Sequence, residues 1–160
     1  MFKIDRNRKG FTLVEMLVTM TIISILAGAA IPLAKITVKR QKEIELQRSL
    51  RLIRQAIDEH KRLADEEKFE IERNSEGYPA DLETLVEGVE ITEEKDGREV
   101  TRVVKFLRRI PRDPMTESYD WGLRSYQDKY DSLSWGGENV YDVYTRSLAT
   151  ALDGTRYENW

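Results

Sequence analysis

A chain of 160 residues with no cysteine, one histidine and a formal net charge of −3 has room for one modest folded domain and excludes disulfide frameworks and thiolate metal sites. At 40% hydrophobic and 34% charged residues, it is not a chain disordered throughout. The charge is uneven: residues 1–10 hold four basic and one acidic side chain, residues 35–64 nine basic and four acidic, and residues 65–160 thirteen basic and 23 acidic.

The first element is a short basic leader, with Lys3, Arg6, Arg8 and Lys9, ending at Gly10. From Phe11 to Ala34 there follow 24 residues of which only Glu15 is ionisable. At about 1.5 Å per residue the run reaches roughly 36 Å, enough to cross a hydrocarbon layer about 30 Å thick. A carboxylate in such a segment costs several kcal/mol unless it is protonated or paired, which makes Glu15 a candidate functional residue. No Lys or Arg lies within a turn of it on the apolar stretch. A cut after Gly10 creates an α-amine on Phe11 that is such a cation, and a neighbouring copy can supply it. Pro32 removes one backbone hydrogen bond and predicts a kink or a locally loosened helix, tolerable in a membrane where neighbouring helices or the Ser24 and Thr37 side chains help satisfy the freed groups. Gly28, Ala29 and Ala30 allow close helix contact. An ordinary secretory signal peptide cut between Ala29 and Ala30 competes with this reading. Against it stand Glu15 inside the apolar region and the continuation of that region to Ala34. The far flank carries seven basic residues from Lys35 to Arg54 against four in the leader, so charge does not favour a cytoplasmic N-terminus.

The helical pattern continues to about Glu67. Leu46, Leu50, Ile53, Ile57, His60 and Ala64 recur at steps of four and three and mark one face that needs cover. A globular head is the expected cover, because the stripe is too short for a coiled coil. His60 on this stripe reads as a packed or hydrogen-bonded core histidine rather than a catalytic base. The cluster Asn74-Ser75-Glu76-Gly77-Tyr78-Pro79 is a turn. Asp81 to Val86 then predicts a short helix with Leu82, Leu85 and Val86 inward and Gly88 as its stop. Asp96-Gly97 predicts a hairpin turn between a Val89–Ile91 side and a Val100–Val104 side, with a charged loop over 92–98 as the alternative. Trp121 to Tyr126 and Val140 to Thr145 predict strands. Folded back on the stem, they would cover Leu50, Ile53 and Ile57 in an α+β arrangement, a long N-terminal helix on a small antiparallel sheet. The stem of residues 35–64 carries net +5 and the following 96 residues −10. That split fits stem-to-head contacts between staggered copies, and equally two solvated surfaces of opposite sign.

A basic leader ending in Gly10, then Phe11-Thr12-Leu13-Val14-Glu15, an apolar helix with Pro32 and a long amphipathic continuation resembles a type IV pilin or pseudopilin precursor. The resemblance implies that a prepilin peptidase cleaves between Gly10 and Phe11 and N-methylates Phe11. It implies that Glu15 pairs with the Phe11 amine of an adjacent subunit during filament assembly, and that the helix loosens near Pro32. The implied organisation is a leader over 1–10, a transmembrane half-helix over 11–34, an amphipathic half-helix and exit over 35–73, and a periplasmic head over 74–160. The protein would sit in the bacterial inner membrane with a single pass.

The head carries a more specific similarity. Tyr78-Pro79, Leu82-Glu83-Thr84-Leu85-Val86, the run Phe106 to Pro114, Trp121-Gly122, Tyr141-Asp142-Val143-Tyr144 and Trp160 resemble the major pseudopilin of type II secretion systems. That similarity implies a homo-oligomeric pseudopilus aiding export of folded proteins, with minor pseudopilins, the prepilin peptidase and an inner-membrane assembly platform as partners. Major pseudopilins commonly bind calcium, which needs six to eight oxygen ligands. The matching segment here, Ser147 to Gly154, has one carboxylate, and Asp128 with Asp131 are too few, so no metal ligand is assigned and no cofactor is expected. A pilus or DNA-uptake subunit is the alternative, although an acidic head argues against direct nucleic-acid contact. No nucleophile–base set, zinc set or phosphate loop is recognisable, so the chain is expected to be a peptidase substrate rather than an enzyme.

Overall fold

The computed structural model describes residues 10–71, 75–95 and 98–160. The chain divides into two compact units after Lys39, and helix α1, Leu13–Asp65, supplies parts of both. In the first unit every described side chain from Gly10 to Val38 is exposed. α1 remains helical through Pro32. Leu, Ile, Val and Met on all sides of the helix leave it no apolar face to hide and no polar face to show water, the pattern of a segment surrounded by lipid or by other helices.

In the second unit α1 is amphipathic. Leu46, Leu50, Ile53, Ile57, His60 and Ala64 are all buried, so the stripe read from the sequence is the face that meets the head. Ile44 and Leu52, on another face, stay exposed. The helix stops where Glu67 turns left-handed at φ 55°. The Glu67 N–H donates to the Ala64 carbonyl (3.0 Å) and the Lys68 N–H to the Leu63 carbonyl (3.1 Å). That is a Schellman ending with glutamate where glycine is the usual residue.

Helix α2, Leu82–Glu87, forms because Asp81 Oδ1 accepts from the Thr84 N–H (2.8 Å) and hydroxyl (2.7 Å), and it buries Leu82 and Leu85. Gly88 ends it at φ 88°, where a Cβ would lie 2.4 Å from the Val104 carbonyl oxygen, so only glycine fits. Strands β1, Val89–Lys95, and β2, Arg98–Val104, pair antiparallel with Lys95 opposite Arg98. The hairpin expectation is therefore met, while Asp96 and Gly97, like Asn74 of the earlier turn cluster, lie outside the described residues. Ile91 is the hairpin's buried anchor, and β2 is exposed up to its last residue.

Strands β3, Gly122–Arg124, and β4, Asp142–Tyr144, form a second antiparallel pair of three residues each. These strands are shorter than the sequence predicts, because side chains capture the backbone donors beyond them. The Ser125 N–H goes to Asp128 Oδ2 (2.8 Å) and the Tyr126 N–H to Asn139 Oδ1 (2.9 Å). The cover of α1 also differs from expectation. Among the described residues Val143 is the one strand residue in the core cluster; the remainder comes from α2, Leu107, Trp121, Val140, Ala151 and Tyr157 of the 3₁₀ turn Tyr157–Asn159.

Polar ties from Arg54 and Glu43 help join this cover to α1. Arg54 donates to Asp142 Oδ1 (2.7 Å), the Val143 carbonyl and the Trp160 carbonyl, and Asp142 Oδ2 in turn accepts from buried Arg124 (3.2 Å). Glu43 Oε1 accepts from the Leu152 N–H and the Tyr157 hydroxyl, both at 2.8 Å. Burial and this carboxylate push the Tyr157 hydroxyl pKa up to about 12, so it stays a donor at any ordinary pH. The result is an α+β chain: a long N-terminal helix and small antiparallel sheets after it.

Candidate functional site at the helix start

Gly10, Phe11 and Thr12 precede the helix in non-helical backbone. Phe11 is 74% exposed, and nothing lies within 4 Å of the place a Gly10 Cβ would occupy. Phe11 is thus exposed, and glycine at position 10 adds no side chain of its own beside the Gly10–Phe11 bond.

Thr12 is the N-cap of α1. Its Oγ1 accepts from the Glu15 N–H (3.2 Å) and its carbonyl from the Met16 N–H (3.1 Å). Thr12-Leu13-Val14-Glu15 is the Ser/Thr-x-x-Glu spacing of a capping box, which satisfies orphan donors at a helix start. The sequence reading passed over this signal, although the spacing was there to be read. Its consequence is chemical: the cap lies wholly on the Phe11 side, so a cut after Gly10 leaves the helix start intact. It also fixes the backbone of Glu15 one turn from the position of the new amine, where the helix dipole favours a carboxylate. Among the described residues no ion pair engages Glu15.

Farther along, the hydroxyls turn inward. Thr19 donates to the Met16 carbonyl, Thr21 to Leu17, Ser24 to Met20 and Thr37 to Leu33, at 2.8 to 3.0 Å. Each polar group is satisfied within the helix, as an apolar surrounding requires. Ser24 and Thr37 therefore do not reach the Gly28 carbonyl, the group a proline at position 32 leaves without its donor, contrary to the role expected of them. A Cβ at Gly28 would meet nothing within 4 Å, so that side of the helix is open to close approach.

The other singled-out residues sit elsewhere. His60 is buried, its Nδ1–H donating to the Gly77 carbonyl (3.0 Å) between the Phe69 and Phe106 rings. Burial holds its pKa below the usual histidine value, with the Gly77 bond opposing. Asp128 Oδ2 accepts from the Ser125 and Gly136 N–H groups, and Asp153 Oδ1 from the Thr155 N–H and hydroxyl. These carboxylates hold loops, and among the described residues no group of three or more acidic, His or Cys side chains is placed to hold a metal.

Residues 5–31 match one known family description. The chain carries a prokaryotic N-terminal methylation motif. This methylation motif spans Gly10, Phe11 and Glu15 and ends beside Pro32. Comparison with curated proteins and with solved structures returns no match. Together with a helix long and apolar enough to cross a membrane, the methylation motif makes the N-terminal part of the chain type IV pilin-like.

Proposed function

We propose that this protein is a structural subunit of a type II secretion pseudopilus, made as a precursor, cut between Gly10 and Phe11 by a prepilin peptidase and N-methylated on Phe11. The observation that carries the reading is the methylation motif seated on a capped helix whose described side chains from Gly10 to Val38 are all exposed. Residues 11–34 anchor the subunit in the inner membrane with its head in the periplasm, beside an assembly platform and minor pseudopilins. Copies then stack these helices into a filament that helps export folded proteins. The ordered set of head motifs from Tyr78-Pro79 to Trp160 and the absence of cysteine favour the secretion filament over a surface pilus or DNA-uptake machine. A head of net charge −10 over residues 65–160 disfavours direct contact with nucleic acid. No catalytic role is proposed.

Glu15 acts in register. Its charge is neutralised by the Phe11 amine of the neighbouring subunit, and a subunit out of step leaves both charges buried and unpaired. Glu15→Ala inserts in the membrane but yields few filaments, and normal filament yield from that variant refutes the role. The intact mass of the membrane-extracted protein tests the wider reading. A chain beginning at Phe11 with one methyl supports it, and a chain beginning at Ala30 shows a secretory signal peptide instead.

A further inference from the structure

Two surfaces of the second unit are incomplete in complementary ways. The first is a groove of about 310 Å³ between α2 and the 109–119 segment, floored by Val86, Ile110 and Tyr119. Tyr119 is 63% exposed. Glu83 and Glu87 stand on one rim, and Arg109 also lines the groove. Among the described residues neither glutamate has an ion pair or a side-chain hydrogen bond. They lie four residues apart on a six-residue helix, where like charges repel and cost a few tenths of a kcal/mol. A cation placed between them would remove that cost.

The second surface is a face of α1 made by Ile44, Glu45, Arg48 and Leu52, with Arg48 four residues from Ile44 and from Leu52 and three from Glu45. Ile44 is 61% and Leu52 47% exposed, about 12 Å apart along the axis at 1.5 Å per residue. Arg48 lies between them, again without an ion pair among the described residues. Its basic neighbours Lys42 and Arg54 are already committed, to Glu117 and Asp142.

We infer that the α2 groove of one copy receives the Ile44–Leu52 face of the next, as a specific interface that rests on the subunit reading above. The apolar pair covers Val86, Ile110 and Tyr119. Arg48 meets Glu83 and Glu87, and Glu45 meets Arg109, so the charge pattern matches in both signs. Because the two patches differ, every copy gives one and takes one. Such a heterologous contact propagates as an open helical array rather than closing as a two-fold dimer.

Charge reversal tests this in the full chain, processed and assembled in membranes. Arg48→Glu, and separately Glu83→Arg with Glu87→Arg, each lower filament yield at least about tenfold, and the combined variant recovers most of it. A natural absence of cysteine permits a direct geometric check. Chains bearing Leu52→Cys and chains bearing Tyr119→Cys, produced together, cross-link with a short bismaleimide, and the product is a mixed dimer. Full yield from both reversals, failure of the combined variant to recover, or absence of the mixed dimer overturns the interface while leaving the subunit reading standing. If the unmodified chain, cut at Phe11, forms no filament at all, both readings fall. All five substituted side chains are on the surface and three of them are charged, and an unchanged tryptophan-fluorescence midpoint in urea verifies that the head still folds.

Discussion

Replacing Asp142 by alanine removes the counterion that two arginines share. Arg124 has a side chain only 7% exposed, stacked 4.2 Å from the Tyr144 ring centre, with bonds to the Ser132 and Glu158 carbonyls and one to Asp142. Without Asp142 its guanidinium keeps the neutral carbonyls but no negative charge. Breaking a buried pair from one side costs about 3–5 kcal/mol. Asp142 is 25% exposed and Arg54 36%, so water screens part of the loss, and the Arg54 arm adds at most about 1 kcal/mol. The expected cost is about 2–4 kcal/mol, or roughly 1–2 M off a urea midpoint at an m-value near 2 kcal/mol/M. All three tryptophans, at 121, 135 and 160, lie in the head, so their fluorescence in the detergent-solubilised protein reports its unfolding. The double variant Asp142→Ala with Arg124→Met should lose less than the single one, since no buried charge is left unpaired. A single-variant loss under about 0.5 kcal/mol, typical of an ordinary surface change, refutes the reasoning.

Three further outcomes follow from local features. Glu67→Gly should stabilise the head by about 1 kcal/mol, because glycine adopts the left-handed ending of α1 without the Cβ penalty; a lower urea midpoint contradicts this. His60 has its pKa lowered in the folded chain by burial, so its stabilising contribution is full above the unfolded value near 6.5 and erodes as pH falls below it. Midpoints measured between pH 7.5 and 5.5 should therefore fall, and His60→Phe should flatten that slope; an equal slope in the variant assigns the effect to other groups. Adding millimolar calcium, or chelating it, should leave the melting temperature unchanged, since Asp128 and Asp153 already serve loop N–H groups; a rise of several degrees with calcium contradicts that account.

Some features are properties of short spans and could be read without a fold. The spanning length from Phe11 to Ala34, the lone carboxylate at Glu15 and the cap spacing from Thr12 to Glu15 are all local, although the cap went unread. So is the stripe from Leu46 to Ala64, since helical period alone names its inward face. The Asp96-Gly97 signal placed a hairpin whose strands indeed pair. What failed was local too, but depended on competitors. Nothing in the β-rich runs at 121–126 and 140–145 indicates that Asp128 and Asn139 take the Ser125 and Tyr126 N–H groups and that each strand keeps three residues.

The sequence by itself determined that this chain has a membrane-length apolar helix with a processing motif at its start and an amphipathic continuation needing cover. These follow from composition and period, which require no partner. Only the tertiary structure decided what the cover is: Glu43 reaching Tyr157 and Arg54 reaching Asp142, bonds across 114 and 88 residues. The same holds for the faces left over, the α2 groove and the Ile44–Leu52 side of α1. Chain separation on that scale leaves no periodic trace, because such contacts are selected by the closing of the whole fold and not by any neighbourhood in the sequence.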